Sequence, residues 1–219
     1  MFVIVAKVRG HEAASKNSKL TKKIDSVIMN VNKMYSSDFH ESFHRIDNHS
    51  FEGVLNKGIY VLEIIDKLKY GLDVYDVGFG VGFCEGDVEN NSIHAIEQGK
   101  VNAYQALERL EENNDYGNAH IQVSLGRQNS LENIINASLR TTDFIESRWR
   151  LSQHDLVKYL VLNYGFMENF VQKDVARDLK LSAQNFNQQL KNSGYFNILK
   201  LKREITVIIE QYRRSQHRN

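Results

Sequence analysis

The stretch DVGFGVGFCEGD, Asp76 to Asp87, decides how the front half of this chain is read. Glycines in a tight turn just before a helix, followed by Lys and Ser or Thr, would cradle a phosphate on backbone N–H groups. Here Gly78, Gly80 and Gly82 recur at every second residue, and no such Lys and hydroxyl pair follows. A repeat of two belongs to a strand, so the three glycines share one face while Val77, Phe79, Val81 and Phe83 share the other. The strand reading prevails. A face without side chains lets a neighbouring backbone, a helix or a flat ligand come close, and close packing is the expected use.

Outward from that strand, apolar periodicity alternates between two and 3.6. Residues 2–8 are apolar and β-branched, and residues 18–35 carry Leu20, Ile24, Val27, Ile28, Val31 and Met34 at helical steps. Two strands, 38–46 and 51–55, flank the polar turn Asp47-Asn48-His49-Ser50. A helix over 58–72 follows through Ile59, Leu62, Ile65, Leu68 and Leu72, then the glycine strand over 74–83, a helix over 98–110 and a strand over 120–125. The order βαββαβ, extended by one helix and one strand, predicts a ferredoxin-like antiparallel sheet with helices on one face.

At 219 residues and 42% hydrophobic the chain can bury a sizeable core. No run of ~18 apolar residues suggests a membrane span. The opening MFVIVAKVRG lacks a basic start and a cleavage site, and so reads as a strand rather than a signal peptide. A single cysteine, Cys84, rules out an internal disulfide and fits a reducing cytoplasm. The net charge of +1 conceals an asymmetry. From Leu151 onward eleven Lys/Arg stand against six Asp/Glu, a net +5, while the first 150 residues carry −4.

The cationic part contains VQKDVARDLKLSAQNFNQQLKNSGY, Val171 to Tyr195, with the spacing of a helix-turn-helix. Val175, Ala176, Leu179, Leu181, Phe186 and Leu190 would face the core, and Ser182 stands where the second helix needs a cap. Lys180 occupies the turn position usually held by glycine. Ala183, Gln184, Asn185, Gln188 and Lys191 remain outside. Amide side chains match the donor and acceptor edge of adenine, so Gln184, Asn185 and Gln188 are the expected base readers. Lys173, Ser182, Lys191 and Tyr195 would position the protein on phosphates. A purely solvated helical cap is the blander alternative.

Other constellations carry less. His40 and His44, four apart on a strand, would stand about 13 Å apart, too far to share an ion held at about 2 Å. Glu85, Asp87 and Glu89 lack the spacing of a calcium loop. No nucleophile, base or paired-carboxylate pattern stands out, so neither a catalytic residue, a metal ligand nor a cofactor is expected.

Taken end to end, the chain resembles the SatD family of small bacterial proteins, which pair a nucleotide-cyclase-like front domain with a rear helix-turn-helix. The resemblance rests on FEGVL at 51–55, similar to the end of the family's hairpin GDEFQGLL, on the glycine strand and the helix after it, and on the lead-in FIESRW at 144–149 with LSQH at 151–154. It implies carboxylates at the hairpin and first strand that would hold a divalent metal. Here Asn48, His49 and Ser50 stand at the hairpin, and the first strand ends Ala6-Lys7-Val8-Arg9-Gly10. Cations at that place would repel Mg²⁺, and the front domain reads as catalytically inactive.

The expectations are therefore an α+β chain. A cyclase-like sheet domain spans 1–127, a connecting helix 128–150, and an all-α helix-turn-helix domain, winged or sigma-region-like, 151–219. Its function would be that of a cytoplasmic transcriptional regulator binding double-stranded DNA, with a front domain that senses a small nucleotide-like ligand or dimerises. A protein-interaction adaptor without DNA binding is the alternative, and a nucleotide-binding enzyme ranks last. Such regulators are usually homodimers. The segment 206–214 would lie on a partner chain or, by default, pack back on its own domain. Arg213, Arg214, His217 and Arg218 read as a loose cationic tail.

Overall fold

A computed structural model describes residues 1–10, 18–85, 92–113, 117–126 and 130–216. Asp87 and Glu89 of the acidic loop, and His217 and Arg218 of the tail, lie outside the described residues. The front of the chain runs β1 (Phe2–Val8), α1 (Ser18–Met34), β2 (Phe39–Arg45), β3 (Ser50–Leu55), α2 (Val61–Gly71), β4 (Val77–Phe83), α3 (Ser92–Glu112) and β5 (Ile121–Ser124). Helices follow: α4 (Ser130–Ser147), α5 (Leu151–Tyr164), α6 (Gln172–Asp178), α7 (Ala183–Ser193) and α8 (Tyr195–Gln216). The chain is thus a mixed α+β protein. The five strands form one sheet in the order β2-β3-β1-β4-β5. The first four pair antiparallel, as expected, but β5 runs parallel to β4.

The glycine stripe explains the central packing. Val3 and Val5 of β1 stand opposite Gly82 and Gly80 of β4, so these residues share a face. Helix α3 lies directly on it. A Cβ at Gly80 would meet the carbonyl of Ala103, and one at Gly82 the carbonyl of Gly99 and the amide of Ala103, all closer than 3.0 Å. Backbone therefore rests on backbone, the close-packing use of the stripe. Around it Met1, Val3, Val5, Val54, Ala103 and Leu107 form a small apolar cluster. Cys84 is buried there, and burial pushes its thiol up to about 11. The opposite face carries Phe2, Ile4, Phe79, Val81 and Phe83 and packs against α1 and α2. The expectation of helices on one face is corrected on this point: α3 covers the other.

Helix α2 is buried nearly all round, including Asp66 and Lys67. Its apolar stripe meets the sheet, and its polar stripe meets the rear helices. Lys202 of α8, 1% exposed at its side chain, sits between Asp66 at 2.8 Å and Glu146 of α4 at 2.9 Å. Lys69 reaches the same Glu146 and Asp143. Charges this deep persist only when paired and hydrogen-bonded. Lys67 donates to the carbonyls of Val161 and Leu162 on α5, and Lys158 of α5 pairs with Asp73.

One buried apolar cluster accordingly runs from β1 through α2 into α5, α7 and α8. Helix α8 returns along the front half of its own chain. Ile209 is buried, Glu210 accepts from the Gly58 amide at 2.9 Å, and Tyr212 donates to the Leu125 carbonyl. Residues 206–214 thus pack on the front half of their own chain rather than on the rear domain, which corrects the default expectation. Arg213 and Arg214 are not loose: both are helical and pair with Glu210. No strand follows Ser124 among the described residues, so the rear carries no wing there.

On each edge strand one residue is bonded by a side-chain amide. Asn136 of α4 both accepts from and donates to the backbone of Val123, at 2.8 Å each way, and Glu132 accepts from Leu125. Asn32 of α1 does the same for Phe43 on β2, at 2.9 and 2.8 Å. The segment read as a connecting helix is thus fastened side-on to β5.

Candidate nucleic-acid interface

Helix α6 ends in a Schellman motif. The Leu181 amide donates to the Ala176 carbonyl at 2.8 Å, and the Lys180 amide to the Arg177 carbonyl at 3.0 Å. This motif requires a left-handed residue at Lys180, whose φ is +56°, the one positive value at a non-glycine residue among those described. A side chain in that conformation costs about 1–2 kcal/mol. Lys180→Gly should therefore raise the unfolding free energy by roughly 1 kcal/mol in urea denaturation, without altering the helix-turn-helix.

The second helix starts where the sequence places it. The Ser182 hydroxyl caps α7 by accepting from the Asn185 amide at 3.2 Å, and Gly194 closes it with φ +66°. Val175, Ala176, Phe186 and Leu190 are buried, with Leu179 and Leu181 half-buried beside them. Trp149 donates to the Ser193 carbonyl at 2.8 Å, which moors the end of α7 to the lead-in.

The outward face agrees with the sequence. Ser182, Ala183, Gln184, Asn185, Gln188 and Lys191 are all exposed, as is Lys173. Tyr195 is the exception and is corrected here. It is 2% exposed, begins α8 and packs in the core, so it cannot touch a phosphate. Its hydroxyl makes no hydrogen bond among the described residues, and the side chain lines a void of about 10 Å³ with Asp66 and Lys202.

Sequence reading missed part of this surface. A cleft of about 540 Å³ separates the start of α5, with Arg150, Ser152 and Gln153, from Asn185, Gln188 and Asn192 on α7. Gln153 accepts from the Arg150 amide at 2.8 Å, which fixes the first turn of α5. The signal was present in the polar lead-in RLSQ, but only the fold lays it beside α7. Cations are fewer outside than the count suggests. Lys158 and Lys202 turn inward, and Arg177 is held by Asp174 and Asp178. Lys173, Lys180, Lys191 and Lys200 are exposed and make no ion pair among the described residues.

At the far end of the sheet, the place where the resemblance implies metal-holding acids is cationic. Arg9 donates to the Ala119 carbonyl at 2.9 Å and pairs with Asp76 at 3.0 Å, and Lys7 pairs with Glu111. Burial, helped by the cations Lys69 and Arg9, pushes His120 down to about 4, so it stands neutral at pH 7. Asp47 accepts from the amides of His49 and Ser50 at 2.6 and 2.7 Å, which binds its carboxylate into the turn. Despite partial burial, those bonds hold it below the usual carboxylate range. Among the described residues no group of three or more His, Cys, Asp or Glu is arranged to hold a metal ion.

The SatD family model matches residues 2–209, across sheet, lead-in and helix-turn-helix alike. The chain belongs to the SatD family. Neither the curated proteins nor the solved structures searched gave a match. In this SatD-family chain no helix is long and apolar enough to cross a membrane among the described residues.

Proposed function

We propose that this chain is a cytoplasmic DNA-binding transcriptional regulator, with a cyclase-like front domain that has given up metal chemistry. The observation that carries the reading is the outward face of α7, where Gln184, Asn185 and Gln188 stand exposed on a capped and braced helix. Amides held this way suit the major-groove edge of adenine. Lys173, Lys191 and Arg150 flank them as phosphate contacts, and Ser182 adds a hydroxyl. The front domain acts as a scaffold, ligand sensor or dimerisation unit. Its Arg9 and Lys7 oppose the metal-assisted phosphoryl chemistry that carboxylates would support.

The test is a double variant, Gln184→Ala with Asn185→Ala, assayed on fragments of genomic DNA. Each lost bidentate contact is expected to weaken specific binding by about 1–3 kcal/mol, leaving the salt dependence of non-specific binding intact. Both positions are exposed, so thermal melting should not move. Unchanged affinity and unchanged sequence preference would remove the base-reading roles.

The inward use of Lys158 and Lys202 favours one other reading, a helix-turn-helix that docks on protein. Binding to DNA that is absent, or insensitive to salt, would select it.

A further inference from the structure

A cleft of about 640 Å³ opens where α1, α2 and α5 meet, on the side of the sheet away from the glycine stripe. Its wall is apolar, with Val27 and Val31 of α1 buried, Met34 56% exposed and Leu162 of α5 opposite. Four lysines border it: Lys23 and Lys33 from α1, Lys67 from α2 and Lys158 from α5. Among the described residues the one carboxylate in the lining is Asp73, already paired with Lys158. Lys23 and Lys33 are exposed and make no ion pair among the described residues. Lys67 is 5% exposed and gives two of its three ammonium protons to the carbonyls of Val161 and Leu162.

Small-molecule sites commonly enclose about 300–1,000 Å³, with apolar walls and a few placed polar groups. This cleft meets that description with a surplus of positive charge, so the complementary ligand is an organic anion on an apolar body. We infer that the cleft binds a small amphipathic anion, a carboxylate or phosphate ester on an apolar body, as an effector lodged where α1, α2 and α5 meet. Helix α5 supplies both Lys158 and Leu162 to the cleft and also packs against α7. A ligand that draws on Lys158 or Lys67 therefore acts on the element that supports the exposed amides. The effector role rests on the proposed DNA-binding function; the binding itself does not.

The probe is anilinonaphthalene sulfonate, an aromatic anion that fluoresces when shielded from water, titrated into the full chain. One saturable site is expected, displaced by decanoate or decyl phosphate but not by decyltrimethylammonium or inorganic phosphate. The better of the two displacers identifies the head group. Lys23→Glu with Lys33→Glu, both exposed, should weaken binding about tenfold or more at an unchanged melting temperature. Ser26→Trp, which fills the cleft from an exposed position and leaves every charge in place, should abolish it. Equal binding in either variant, displacement by the cation, or no saturable site would overturn the inference. DNA affinity measured with and without saturating decanoate separates the two claims. A change in the wild type that vanishes in the double lysine variant supports the effector role, and an unchanged affinity overturns that role. Failure to bind DNA at all would sink the functional reading while the anion titration still stands.

Discussion

Gly82→Ala should destabilise the protein by about 3 kcal/mol or more, the upper range for forcing atoms into a packed interior. The methyl group would enter the space held by the Gly99 carbonyl and the Ala103 amide. Those are backbone atoms of a 21-residue helix, so no rotamer change relieves the clash. Either α3 lifts from the sheet, exposing Val3, Val5 and Leu107, or β4 buckles. Gly78→Ala is the internal control, because its Cβ would meet only side-chain atoms, the nearest at 3.3 Å. Urea denaturation of both variants should show a much lower midpoint for Gly82→Ala than for Gly78→Ala. Similar midpoints would mean that the backbone-to-backbone seat does not hold the two layers together.

Lys202→Met should cost about 3–5 kcal/mol, the range for breaking a buried pair from one side. The loss comes less from the missing attraction than from Asp66 and Glu146, left buried with Lys69 as their remaining cation. The pH dependence distinguishes this cause from a simple packing fault. In the wild type, burial opposes ionisation of Glu146, but Lys202 and Lys69 outweigh it and hold that carboxyl well below its ordinary value. Its contribution is therefore in place above the unfolded value of about 4.3 and is lost as the pH falls beneath it. Without Lys202 the balance reverses. Asp66, already raised by burial in the wild type, loses the cation that opposes that rise, so on acidification the variant should gain more stability than the wild type does. Adding Asp66→Asn to the variant should restore part of the loss at pH 7. Parallel pH profiles for variant and wild type would refute this account.

Much of the fold was legible because local period and tertiary role coincide. The alternation at 77–83 separated glycine face from apolar face, and the pattern Val175, Ala176, Phe186 and Leu190 located both helices of the turn unit. Lys180 was recognisable as the residue holding a glycine's conformation, and it does so. What stayed hidden depends on partners far away along the chain. Helix α2 reads as an ordinary amphipathic helix, yet its polar side is interior because Lys202, 136 positions later, meets Asp66. Tyr195 follows a polar helix in sequence and looks accessible, but α8 turns it inward. The amide cleft escaped notice for the same reason. Arg150 and Asn192 lie 42 positions apart and share one cleft only because the fold sets the start of α5 beside α7.

The Asn32 and Asn136 amides have a consequence for self-association. Each supplies the donor and acceptor that an incoming strand would offer, and β2 is further distorted by two register shifts. At these positions the edge groups are already bonded, which hinders an incoming strand from pairing there.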